Sequence, residues 1–186
     1  MSEYAERFVA HLRSLEESPG AMAALRRSVA FEPGRYMAVY PYVEPYVGKD
    51  WHERDSRRLA AYAVAGLYAH LPRHESRQTF AGAFGDLMRR RTRDDRGNEG
   101  IQKRFISLLN ADPENIVEYL RQALSLMAVE AEGFDYVRLL DDLTKWMNPF
   151  PDRGEDRDRL RERWAREFYR AAETEKSGAS DDTNNA

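Results

Sequence analysis

The chain has 186 residues and a mass of 21.6 kDa, enough to bury one substantial core or two small ones. No apolar run approaches the ~20 residues that a membrane-spanning helix needs, and Met1 to Glu6 carries acids where a secretory leader would carry Lys or Arg, so neither is expected. There are 29 bases against 32 acids, a formal net charge of −3, and no cysteine; disulfides, thiolate metal sites and thiol nucleophiles are excluded, and the composition suits the cytoplasm.

The hydrophobic periodicity is helical almost throughout. Tyr4, Phe8, Leu12 and Leu15 line one face of a first helix. Ser18 and Pro19 read as the cap and first residue of a second, running to about Ala30. Phe31 to Gly34 is a turn. The segment 35–47 carries four tyrosines with prolines at 41 and 45, which argues against a central strand or a long helix and predicts short helical turns packed through aromatic rings. A third, alanine-rich helix is expected from about Asp55 to Leu71, with Leu59, Tyr62, Ala63, Gly66 and Leu67 inward and Pro72 ending it. Ser76 reads as the cap of a fourth helix, to about Arg91. The polar run from Thr92 to Asn98 is the expected domain boundary.

In the second half, Asn98 reads as the cap of a helix to Leu109 with Ile101, Phe105 and Leu108 inward. Asp112-Pro113 reads as a cap and first-turn proline opening a helix to about Ala131, which Gly133 stops. Asp135 precedes an amphipathic helix with Tyr136, Leu139, Leu140, Leu143, Trp146 and Met147 inward, and Asn148 to Pro151 breaks the chain. A last helix from about Glu155 to Glu173 spaces Leu160, Trp164 and Phe168 four apart. The expected fold is all-α, two small helical bundles forming an elongated two-lobed protein: residues 1–92, residues 98–175, and a disordered polar tail over 176–186.

Nothing in this chain reads as an active site. His70 and His74 have the spacing of helical metal ligands, but Pro72 breaks the helix between them. Asp141 and Asp142 are adjacent, and neighbours in a helix diverge by ~100°, so they cannot clamp one metal together and are expected to pair with nearby bases. Phosphate-cradling, dinucleotide and nucleophile-elbow motifs are absent, and the glycines of Gly82-Ala83-Phe84-Gly85 read as helix-packing positions. No catalytic residue, metal or cofactor is expected.

The charge is more informative in its distribution than in its sum. The last 14 residues, Glu173 to Ala186, hold four acids and one base, so the body of the chain is neutral; of the 29 bases, 25 are arginine, whose planar fork suits phosphate oxygens. Three basic groups stand out. Arg89, Arg90, Arg91 and Arg93 close the fourth helix. Lys103, Arg104, Arg121, Arg138 and Lys145 lie off the apolar seams of three helices, with Arg138 and Lys145 two turns apart on one face. Arg159, Arg163, Arg166 and Arg170 form a stripe along the last helix. Each group is open to two readings, a polyanion surface or a salt-bridged solvent face.

Four motifs in fixed order carry a family resemblance. They are Ala24-Leu25-Arg26-Arg27, then Gln102-Lys103-Arg104-Phe105 with Leu108 to Asp112, then Asp135 to Leu143 with Trp146, and last Arg163-Trp164-Ala165-Arg166-Glu167-Phe168-Tyr169. Together the series resembles the CasB family, the small subunit of the type I-E CRISPR surveillance complex called Cascade. The resemblance spans roughly residues 5 to 171. It implies a non-catalytic helical subunit placed, as one of a pair, against the crRNA-binding backbone subunits and the large subunit. It also implies contact with the single-stranded and duplex DNA of the R-loop. The family's basic surface would fall on Arg26, Arg27, Lys103, Arg104, Arg121, Arg138 and Lys145. The Arg89–Arg93 cluster matches no motif of the family.

Overall fold

A computed structural model of the chain describes residues 3–94, 99–130, 132–150 and 154–173. Among these residues the structure is helical, with no strand: α1 (Glu3–Ser14), α2 (Pro19–Ser28), the single turn α3 (Tyr40–Val43), α4 (Ser56–His70), α5 (Phe80–Arg93), α6 (Glu99–Leu109), α7 (Ile116–Val129), α8 (Tyr136–Trp146) and α9 (Gly154–Glu173). The expected cap at Asn98 and the tail over 176–186 lie outside the described residues.

Local chemistry sets several ends as expected. Ser18 Oγ accepts from Ala21 N–H, with Pro19 opening α2. Asp55 and Asp135 cap α4 and α8 through hydrogen bonds from Arg57 N–H, and from Val137 and Arg138 N–H. The segment 35–47 is a chain of short 3-10 and α turns. Its rings pack inward: Tyr46 stacks on His11 with centroids 4.4 Å apart, and Tyr40 donates to the Gly34 carbonyl at 2.7 Å.

Three boundaries differ. The cap of α5 is Thr79, not Ser76. Residues before it pair with the segment ahead of α8 instead: Glu75 N–H donates to Phe134 O at 3.0 Å, and Asp135 N–H to Gln78 O at 2.7 Å. These bonds satisfy backbone groups that would otherwise need a helix turn. Asp112-Pro113 opens a turn rather than a helix. The Asp112 carbonyl accepts from both Asn115 and Ile116, so α7 begins three residues later than expected. It also ends at Val129, before Gly133 is reached.

α4 is the centre of the molecule. Its sequence suggests one inner face, yet every residue from Ala60 to Ala69 is buried. α2, α7 and α8 all pack against it, and its alanines and Gly66 let them come close: a Cβ on Gly66 would lie 2.7 Å from Ser28 Oγ and Val29 Cγ1. α5 lies along α9, α1 against α8, and α6 between α7 and α9. One hydrophobic cluster runs from Phe8 and Leu12 through Tyr68 and Phe84 to Trp146, Trp164 and Phe168. Burying each such side chain contributes about 1.5–3 kcal/mol, and the Phe105 and Phe168 rings stack at 3.9 Å. Two of its polar groups are matched: Tyr136 donates to the Leu71 carbonyl at 2.7 Å, and Trp146 Nε1 to the Ala111 carbonyl at 3.3 Å.

Candidate nucleic-acid interface

The basic side chains divide by partner. The Arg89–Arg93 run, which matches no motif of the resembled family, is a structural tie. Arg89 bridges Asp86 at 2.7 Å and donates to the Ala171 carbonyl near the end of α9. Arg90 and Arg91 reach across to Glu132 and Glu130, at 2.6 and 3.5 Å. The α9 stripe is likewise matched with acids: Arg159 with Glu155, Arg166 with Glu162, and Arg163 with both Asp142 and Glu167. Of the two readings open for these groups, the carboxylate-paired one holds at each of those residues.

The residues carried by the family resemblance behave differently. Arg26 and Arg27 stand exposed in the last turn of α2. Arg26 commits Nε to the Ala69 carbonyl at 3.0 Å, across on α4, and Arg27 projects from the adjacent position. On α6, the burial of Phe105 and Leu108 turns Lys103 and Arg104 outward, and Arg104 donates only to the Gly100 carbonyl one turn back, at 3.0 Å. On α8, the Leu139–Leu143–Trp146 seam leaves Arg138 and Lys145 exposed. Among the described residues no carboxylate lies within salt-bridge distance of Arg26, Arg27, Arg104, Arg138 or Lys145. Arg121, by contrast, is held by Glu118 in a two-pronged pair at 2.6 and 2.8 Å. That pair, with a further bond from Gln122, draws the Glu118 carboxyl below its ordinary range.

Some of these bases converge. Arg26 from α2 and Arg121 from α7 both act on His70 at the end of α4. Lys145 shares an open groove with Arg54, Arg57, His52 and the exposed ring of Phe150. Arg57 is neutralised by Asp55 at 2.6 Å and lies over the Trp51 ring. Arg54 has no carboxylate within salt-bridge distance among the described residues, so the fold adds it to the set. Nothing local marks Arg54 in the sequence, because Lys145, which lines the same groove, lies some ninety positions away. Arg138 sits instead beside Asp142, Arg163 and Glu167.

The two histidines at helical spacing do separate work: His70 meets Ser125, and His74 Nδ1 accepts from Tyr136 N–H. Among the described residues no three His, Asp or Glu side chains are grouped to hold a metal ion, and no helix is long and apolar enough to cross a membrane.

The family model for CRISPR-associated protein Cse2 matches residues 21–169. Cse2 of Thermus thermophilus is 41% identical over 175 residues, 91% of this chain and 92% of that protein. The crystal structure of CasB from Thermus thermophilus superposes with a TM-score of 0.71 at 39% identity, covering 91% of this chain and 99% of the other. The same fold recurs, at 22% identity and a TM-score of 0.71, in a chain of a CRISPR RNA-guided surveillance complex, covering 92% of this chain and 95% of that one.

Proposed function

Because the chain belongs to the CRISPR-associated Cse2 (CasB) family, we propose that it is the non-catalytic small subunit of a type I-E CRISPR surveillance complex. In this reading it binds the nucleic-acid backbone, holds the displaced DNA strand and steadies the R-loop. Its partners are the crRNA-binding backbone subunits, the large subunit and a second copy of itself; the structural neighbour in a CRISPR RNA-guided surveillance complex supports that setting.

The observation that carries the reading is the sorting of charge. Arg26, Arg27, Arg104, Arg138 and Lys145 stand exposed with no carboxylate within salt-bridge distance among the described residues, while the longer arginine runs are matched with acids. R-loop formation exchanges one duplex for another near balance, so modest backbone contacts suffice to tip it. Such contacts need only phosphates met by unneutralised bases, with no reading of base edges. A neutral body with a few unmatched cations suits a subunit that meets protein through one face and a polyanion through another.

Replacing Arg104 and Arg138 together by alanine is expected to weaken binding of the full chain to single-stranded DNA roughly tenfold, measured by gel shift with circular dichroism as the folding control. Unchanged affinity in the double variant overturns the reading and favours a scaffold that touches only protein.

A further inference from the structure

At the end of α4, side chains from three helices meet: His70 of α4, Ser125 and Arg121 of α7, and Arg26 of α2. His70 Nε2 lies 2.9 Å from Ser125 Oγ on α7, and that hydroxyl donates to the Arg121 carbonyl at 2.9 Å. The serine hydrogen is committed to the carbonyl, so the hydrogen between the two side chains belongs to the imidazole. Neutral His70 therefore carries its proton on Nε2 and keeps a bare lone pair on Nδ1. Arg26 reaches in from α2. With Nε on the Ala69 carbonyl, both of its terminal NH₂ groups remain to bind a ligand, and the contact offsets the negative end of the α4 dipole. Arg121 gives Nε and Nη2 to Glu118, leaving Nη1. From α8, the Tyr136 hydroxyl is taken up by the Leu67 and Leu71 carbonyls.

Burial first, and then the charges of Arg121 and Arg26, hold the His70 imidazole below its ordinary range. Two guanidinium groups thus add to burial in disfavouring the protonated form of a third group that could become a cation. A phosphate between them reverses the local field, and an imidazolium then adds to its binding rather than opposing it.

We propose that Arg26, His70 and Arg121 form a seat for one phosphate group, with Ser125 holding the His70 ring in place, and that His70 Nδ1 takes a proton from solvent as the phosphate binds. The proposal deepens the nucleic-acid reading and rests on it for the source, a backbone phosphate of the bound strand. Glu118 is the competing anion within the seat, since it holds Arg121. The linkage has a definite sign. The His70 pKa is higher in the bound state, so the gain in affinity is full below the free-state pKa. It is lost as pH rises through the bound-state pKa.

The test uses the full chain, with oligothymidylate and inorganic phosphate as probes. The pKa of His70 is followed by NMR of its imidazole, and affinity by fluorescence anisotropy between pH about 5.5 and 7.5. Oligothymidylate is expected to raise the His70 pKa and to bind about tenfold more tightly at the lower pH, the affinity change that goes with a pKa raised by about one on binding. His70→Gln is expected to abolish that pH dependence. Arg26→Ala is expected to weaken binding and Glu118→Gln to strengthen it, opposite signs that misfolding does not produce. A matching rise with inorganic phosphate supports the seat and shows that it also takes the free ion. Salt-dependent oligothymidylate binding with a His70 pKa unmoved by either probe overturns the seat while leaving the proposed function standing. A His70 pKa raised by inorganic phosphate, with no oligothymidylate bound by any variant, sustains the seat and overturns the proposed function.

Discussion

Gly85→Ala is expected to lower the stability of the protein by about 3 kcal/mol or more. Gly85 lies at a close crossing of α5 over the α9 backbone. A Cβ there overlaps the Phe168 carbonyl oxygen and sits 3.0 Å from its carbonyl carbon and from Ala171 Cβ. The obstacle is backbone, which cannot rotate away as a side-chain tip can. The two helices must therefore separate, and with them the Phe84–Phe168 ring contact and the bond from Arg89 to the Ala171 carbonyl. Intrinsic propensity pulls the other way, since alanine is a better helix former than glycine by about 1 kcal/mol, so the sign of the change separates the two effects. Gly20, in the first turn of α2, is the control: nothing lies within 4 Å of a Cβ there. Urea denaturation is expected to move the midpoint sharply down for Gly85→Ala and to leave it level or raised for Gly20→Ala. A Gly85→Ala midpoint equal to the unsubstituted protein's contradicts the close crossing.

The second large effect concerns Asp142, one of two buried acidic side chains among the described residues. It ties α8 to α9, accepting from Arg163 at 2.5 Å and from Trp164 Nε1 at 2.8 Å. Asp142→Leu leaves the buried indole N–H without an acceptor and Arg163 with Glu167 alone, and is expected to cost about 2–4 kcal/mol. Asp142→Asn keeps an acceptor for the indole and is expected to cost about 1 kcal/mol. Its cost has a pH signature. Burial pushes the Asp142 carboxyl above the ordinary aspartate range, against the pull of Arg163, Trp164 and Lys145. The folded-state pKa is thus the higher one. The stability this residue contributes is full below the unfolded value, ~3.8–3.9, and is lost as pH rises through the folded pKa. Asparagine has no such dependence, so the deficit of Asp142→Asn is expected to be larger near pH 4 than at pH 7. A deficit that grows toward pH 7 contradicts this assignment.

What the sequence makes legible is what is decided within a few residues. Ser18-Pro19, Asp55 and Asp135 announce their helices because each cap bonds to N–H groups two or three positions on. The Phe8–Leu12 and Leu160–Trp164–Phe168 seams announce their buried faces by spacing alone. Helix starts set by distant parts of the chain are not legible. Ser76 is as good a local cap as Thr79, and only the pairing of Glu75 and Gln78 with Phe134 and Asp135 decides between them. α4 shows one apolar face in its spacing, yet its alanines are wrapped on all sides.

The same limit governs the charges. Local spacing shows that Arg159 and Arg166 have acids one turn away. It cannot show that Arg90 and Arg91 are met by Glu132 and Glu130, about forty residues on, nor that Arg54 and Lys145 line one groove. The family resemblance drawn from four short motifs is borne out by the Cse2 match across residues 21–169, because motif order survives where single contacts are not written locally.

Under the proposed function, bases without carboxylate partners, rather than the longest arginine runs, meet the nucleic acid. The salt dependence of single-stranded DNA binding tests it most directly, compared among the unsubstituted chain, the triple variant Arg27→Ala, Arg138→Ala, Lys145→Ala, and the carboxylate-paired control Arg159→Ala, Arg166→Ala. On single strands each neutralised phosphate adds ~0.7 to the magnitude of the slope of log affinity against log salt. The triple variant is therefore expected to lose about 2 from that slope, while the control keeps it. Equal slopes in all three proteins, or a slope lost in the control and kept in the triple variant, would contradict the claim.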